Sequence, residues 1–204
     1  MPIDHKHKCI FIHIPKTAGT SIEKSLGIKK WDPSLLRLRK EFLIDGVLYA
    51  PQHLTAVMVR GNKKAKKWWK DYFKFSIVRH PYTRVLSEFC WVNRHRGPNF
   101  KFTRVGFNKH LKHYYKALDK DHKLSQYSYL HDDDGNLMVD YVAKFENLQE
   151  EFRFLKKKLH IQTNLPTIHK SRNSEIMLKS LKQGQKNIIY SLYQKDFETF
   201  GYDR

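Results

Sequence analysis

The 204 residues carry 39 Lys and Arg against 20 Asp and Glu, a formal net charge of +19, and 40% of them are hydrophobic. That length and apolar content suffice for one buried core and do not call for a second, so residues 1–204 are expected to form a single domain. The charge steers anions such as nucleotides, nucleic acids, anionic lipids or acidic polysaccharides without choosing among them.

The first element in chain order is the apolar run CIFIHI (9–14), which reads as a buried strand. It is far shorter than the roughly 20 residues that span a bilayer. No signal-peptide pattern precedes it, so a soluble, cytoplasmic protein without a transmembrane segment is expected. The turn-rich PKTAGTS (15–21) leads into a helix with Ile22 and Leu26 on one face and Gly27 as its stop. Lys63, Lys64, Lys66, Lys67 and Lys70 read as a solvated helix face. FKFSIV (73–78) is a second strand, and Pro81 suits the first turn of the next helix, through Val85, Leu86, Phe89 and Val92. Phe107, Leu111, Tyr114 and Leu118 predict a helix over 106–118. Residues 120–136 read as a polar loop whose Asp132–Asp133–Asp134–Gly135 favours a turn over a cation site. LMVDYVAKF (137–145) is a third strand, followed by helices through Leu148, Phe152, Leu155 and Leu159, and through Ile188, Ile189 and Leu192, with Phe197, Phe200 and Tyr202 covering the core. Strands alternating with helices predict an α/β fold, a single parallel sheet flanked by helices on both faces.

Two cysteines, Cys9 and Cys90, make neither a disulfide framework nor a metal site and read as buried free thiols. Of twelve histidines, His5/His7 and His110/His113 come nearest to ligand spacing, and the first pair reads as a solvated terminus. No metal is expected.

PKTAGTS has what an anion needs between a strand end and a helix start. Gly19 allows close backbone approach, Thr17, Thr20 and Ser21 offer hydroxyls, and Lys16 supplies a mobile charge. It is not the GxxxxGK[ST] loop, since Lys16 precedes the glycine and none opens the loop. Read alone, it could also be an ordinary polar turn.

IFIHIPKTAGTSIEKSL (10–26) resembles the 5′-phosphosulfate-binding loop of sulfotransferases, and FSIVRHPYTRVLSEF (75–89) resembles their 3′-phosphate-binding segment, in the same order. The likeness is nearest to the branch of heparan sulfate 2-O-sulfotransferase and small microbial carbohydrate sulfotransferases. QYSYL (126–130), DYVAKFENL (140–148), LPTIHKS (165–171) and YQKDFETFGYD (193–203) match more weakly and extend the resemblance over most of the chain.

The resemblance implies a P-loop-kinase-like sulfotransferase fold, 3′-phosphoadenosine 5′-phosphosulfate (PAPS) as sulfuryl donor with PAP as product, and a hydroxyl acceptor. The acceptor is expected on a glycan and, from the net charge, on an acidic one. Lys16 with Thr17, Ala18, Gly19, Thr20 and Ser21 would hold the phosphosulfate, and Arg79 and Ser87 the 3′-phosphate. Lys170 and Ser171, within His169–Arg172, resemble a loop that closes over the nucleotide. Lys16 would neutralise the departing oxygen and His53, in PQHLTA between the two motifs, would be the general base. His13, in a buried strand, and His80, as a helix cap, are weaker candidates. The loops 29–60, 94–104 and 119–136 are the expected acceptor walls.

Two other readings compete. A kinase-like phosphotransferase would need a Walker-type loop and a metal-holding carboxylate after a strand, and neither is seen. A basic nucleic-acid- or polyanion-binding module would use Trp68, Trp69, Tyr72 and Phe73 as stacking platforms, but their place beside a strand favours burial.

Overall fold

The computed structural model describes residues 3–28, 42–63, 65–96, 102–116, 119–166 and 174–204. In chain order the elements are β1 (Ile3–Asp4), β2 (Cys9–Ile12), α1 (Gly19–Ser25), β3 (Phe42–Ile44), β4 (Val47–Tyr49), α2 (Ala56–Gly61), α3 (Lys66–Trp69), β5 (Phe73–Val78) and α4 (Pro81–Val92). Then come α5 (Arg104–Lys109), α6 (Gln126–Leu130), β6 (Tyr141–Lys144), α7 (Leu148–Lys158), α8 (Ser174–Lys179) and α9 (Gln183–Phe200).

The main sheet has the order β1-β2-β5-β6. Its three longer strands are parallel, with Phe11 opposite Phe75 and Phe75 opposite Tyr141. The expected all-parallel sheet is nevertheless mixed, because β1 pairs antiparallel with β2. Only a four-residue turn joins these two strands, and so short a connection permits antiparallel pairing only.

Side chains alternate across β2, as a strand requires. Ile10, Ile12 and the following Ile14 enter a core with Leu54, Val59, Tyr129 and Val139, while Cys9 and Phe11 enter a second with Ile22, Leu26, Phe152 and Leu155. Both faces of the sheet are thus covered, which is why the strand reads as an unbroken apolar run. A third core joins α4, α5, α8 and α9 through Leu86, Phe89, Phe107, Met177, Ile189 and Phe197. Helix α1 stops as its sequence predicts. Gly27 takes a left-handed φ of 72°, its N–H reaches Lys24 O, and the N–H of Ile28 reaches Glu23 O.

Several expectations are corrected. The predicted 106–118 helix divides into α5 and a π-helical turn over His110–Tyr114. The wider turn carries Tyr115 inward after Phe107 and Leu111. Residues 120–136 are no plain polar loop, for they include α6 and bury Asp121, Lys123, Gln126 and Tyr129. The Asp132–Gly135 turn does form, with Gly135 at φ 82° and the Asp132 side chain accepting from Asn136 N–H at 2.8 Å. The N-terminal histidines are docked rather than merely solvated: His7 pairs with Asp4, and His5 meets the Tyr72 hydroxyl at 2.9 Å and the Trp68 ring. Trp68, Trp69 and Tyr72 pack partly buried on the core, while Lys63, Lys66, Lys67 and Lys70 face solvent as expected. Cys9 is a buried thiol, and Cys90 is only partly covered. Among the described residues no helix is long and apolar enough to cross a membrane.

Candidate active site

Between β2 and α1 the chain makes a strained turn. Lys16 and Ala18 both take left-handed φ values, 70° and 71°, which non-glycine residues seldom adopt. Two guanidinium groups explain how the turn is held. Arg84 Nε donates to the carbonyl of Pro15 and Arg79 Nη1 to that of Lys16, each at 3.2 Å. In a planar trans peptide the next N–H points the opposite way, so the amides of Lys16 and Thr17 face away from these arginines. The Thr17 hydroxyl donates to Ile14 O at 2.9 Å and braces the turn. Ser21 is buried and Thr20 is exposed in the first turn of α1.

Gly19 also serves a purpose that sequence reasoning did not anticipate. Its φ is not in the left-handed region, but a Cβ there would lie 2.0 Å from Cδ2 and Nε2 of His13. The glycine makes room for an imidazole ring.

Arg79 leaves β5 with its backbone clamped by Gln126, which accepts from Arg79 N–H at 2.7 Å and donates to Arg79 O at 2.8 Å. Gln126 is in turn held by Asp196 of α9. The Arg79 side chain, 4% exposed, lies over the Phe145 ring and donates through Nε to Thr83 Oγ1 at 3.1 Å. His80 caps α4 by accepting from Tyr82 N–H, and Pro81 occupies its first turn, as predicted. Thr83, Ser87 and Trp91 recur every fourth residue, so they follow one another along one side of α4. Arg84 and Glu88 are buried on the adjoining side. Besides Pro15, Arg84 holds the carbonyls of Leu124 and His122, tying the 15–18 turn to that segment.

Lys16 lies at this junction, its Nζ 5.5 Å from the Trp91 ring centroid. Burial lowers its pKa to about 8, with the charge of Glu88 working the other way and that of Arg79 adding to the fall.

Next to it three histidines stand in a row, each with Nδ1 2.8 Å from a carboxylate oxygen. His13 meets Glu23, His53 meets Asp121, and His122 meets Glu88. The rings touch edge to face, His13 to His53 at 4.8 Å and His53 to His122 at 4.9 Å between centroids. Trp91, 40% exposed, stacks on His122 at the outer end. Strand β4 brings the row together: Leu48 N–H bonds to Asp119 O, so 119–122 runs beside it and Asp121 reaches both His53 and the Ala50 amide. Burial pushes the His53 pKa down to about 4, against the pull of the Asp121 hydrogen bond. Burial alone would raise the Asp121 pKa, but the hydrogen bond and charge of His53 leave it lowered. With the carboxylate accepting, the neutral His53 ring carries its proton on Nδ1 and its lone pair on Nε2.

Among the described residues, His53, Asp121 and His122 offer atoms within 4.8 Å of one another that could ligate a metal ion. The Asp121 carboxylate, however, already takes the Ala50 and His122 amides and the His53 ring. Of the residues expected from sequence, Lys16 and Arg79 come together, Ser87 follows on the same side of α4, and His53 reaches the Gly19 turn through His13. Lys170 and Ser171 lie outside the described residues. Sequence reasoning missed Arg84, Glu88, Asp121, His122 and Gln126. Arg84 and Glu88 lie inside the 75–89 motif, Gln126 opens QYSYL, and Asp121 and His122 sit in the polar run 119–123, but no local spacing sets any of them apart from its neighbours.

The profile described as Sulfotransferase family matches residues 1–203. No curated protein and no solved structure matches the chain significantly.

Proposed function

The chain belongs to the sulfotransferase family, and we propose that it moves the sulfuryl group of PAPS onto a carbohydrate hydroxyl, on a strand–turn–helix frame of the P-loop-kinase type. PAPS has anionic groups at two separated ends, and a site selective for it needs a cationic holder for each. The observation that carries the reading is the 3.2 Å bond from Arg79 to the Lys16 carbonyl, which joins the two candidate holders into one site.

In this reading the Lys16 ammonium, the amides of Lys16 and Thr17 and the Thr20–Ser21 turn receive the phosphosulfate. Arg79 and Ser87 receive the 3′-phosphate. The acceptor oxygen attacks sulfur in line, a new O–S bond forms as the S–O bond to the 5′-phosphate breaks, and the acceptor proton passes to His53 Nε2. Asp121 keeps the tautomer that leaves Nε2 free, and Lys16 balances the charge gathering on the departing phosphate oxygen. Net charge +19 suits an acidic glycan acceptor. By the same resemblance Lys170 and Ser171 would contact the nucleotide.

A thermal-shift titration tests the donor. PAP at saturating concentration should raise the melting temperature by several degrees, and ATP at the same concentration by far less. Equal shifts would refute a 3′-phosphate site.

A further inference from the structure

His13 has no task in sulfuryl transfer as described, yet the turn is built around it. Its ring lies along α1 against Gly19, where a Cβ would meet Cδ2 and Nε2 at 2.0 Å and Cε1 at 2.6 Å. Glu23, one turn further on the same helix face, accepts from Nδ1 at 2.8 Å. Phe11 stacks at 5.6 Å, and the ring packs against His53 at 4.8 Å with planes 86° apart. His53 is therefore held from three directions, by His13, by His122 and by Asp121, with Glu23 behind His13 and Glu88 behind His122.

We propose that His13 is a positioning residue: wedged between Gly19 and His53, it sets the orientation of His53 and transmits to it any displacement of the first turn of α1. This rests on the reading of His53 as the base. An interior at crystal-like density passes on small shifts instead of absorbing them, so a ring with no slack toward Gly19 cannot stay in place if that turn moves. Space filling alone would require neither the Glu23 hydrogen bond nor the edge contact on His53.

The test is a double-mutant cycle on the nucleotide-free protein with two readouts, melting temperature and the NMR titration of the His53 ring. Gly19→Ala should lower the melting temperature clearly in the parent and much less in a His13→Ala background, since the atoms it strikes are gone. His13→Ala should move the His53 titration upward by about one unit or more, because water enters and a neighbouring ring is lost. In turnover, His13→Ala should reduce kcat by about 10- to 100-fold while KM for PAPS stays within about twofold. Should His13→Ala not fold, His13→Gln, which keeps an N–H for Glu23 but removes the ring, serves in its place. An equal cost of Gly19→Ala in both backgrounds, or a His53 titration indifferent to His13, overturns the proposal. Both of these readouts precede nucleotide addition, so a failure to transfer sulfuryl from PAPS would count against the donor assignment and not against this contact.

Discussion

Lys16 supplies the sharpest test, because its protonation should be coupled to nucleotide binding. In the free protein burial holds its pKa at about 8, so at pH 8 about half the molecules carry a neutral amine there. A charge-assisted hydrogen bond to the arriving phosphate is worth about 1.5–3 kcal/mol. At 1.36 kcal/mol per pH unit this raises the pKa in the complex by about one to two units. The sign follows: PAP selects the protonated form, so binding at pH 8 takes up about 0.4–0.5 proton per site. Affinity is greatest below pH 8 and falls by up to about tenfold per unit above it, until the pKa of the complex is passed. Calorimetry at pH 8 in buffers of different ionisation enthalpy reads the uptake directly. His53, neutral at this pH, adds nothing. Lys16→Arg, whose guanidinium stays charged at every accessible pH, should still bind PAP but show no uptake. A wild-type binding enthalpy independent of buffer, or the same uptake in Lys16→Arg, would refute the assignment of Lys16 to the nucleotide.

Arg79→Ala should weaken PAP binding by about 10- to 150-fold, from the loss of a charged contact, and adenosine 5′-phosphosulfate binding less, by what the loosened Lys16 turn costs; equal losses in calorimetry would remove Arg79 from the 3′-phosphate. His53→Ala should lower turnover by about 10²–10⁴-fold with PAP affinity nearly unchanged. Asp121→Asn, which can donate to Nδ1 and so reverse the His53 tautomer, should lower kcat without altering KM for PAPS, and a normal kcat would show that the dyad is not used. The acid side of the stability curve should report the buried histidines: the pKa values of His53 and His110 lie near 4 in the folded chain against about 6.5 unfolded. The unfolded chain then binds more protons between these values, and stability falls as pH drops from about 6.5 toward 4. Denaturant titrations of wild type and His53→Gln should show a shallower acid decline in the variant.

The local elements were legible because each rests on a local rule. Strand β5 occupies the expected residues 73–78 and α4 starts at the expected Pro81, since an apolar run, a proline and a helical stripe act within a few residues of themselves. The two motifs proposed to hold the donor were legible for the same reason: strand, turn and helix are consecutive. What the tertiary structure alone decided is how polar residues far apart in the chain find one another. His53 and Asp121 are 68 residues apart and Arg84 and Pro15 are 69 apart, and nothing in either local pattern names its partner. Gly19 shows the difference most directly. Its place in the turn is plain from the sequence, but the reason a glycine is needed lies in the ring of His13, which the fold of β2 against α1 brings to 2.0 Å from where a side chain would begin. Periodicity encodes which face of an element is buried, whereas the partners of a buried polar group are set by the packing of several elements at once.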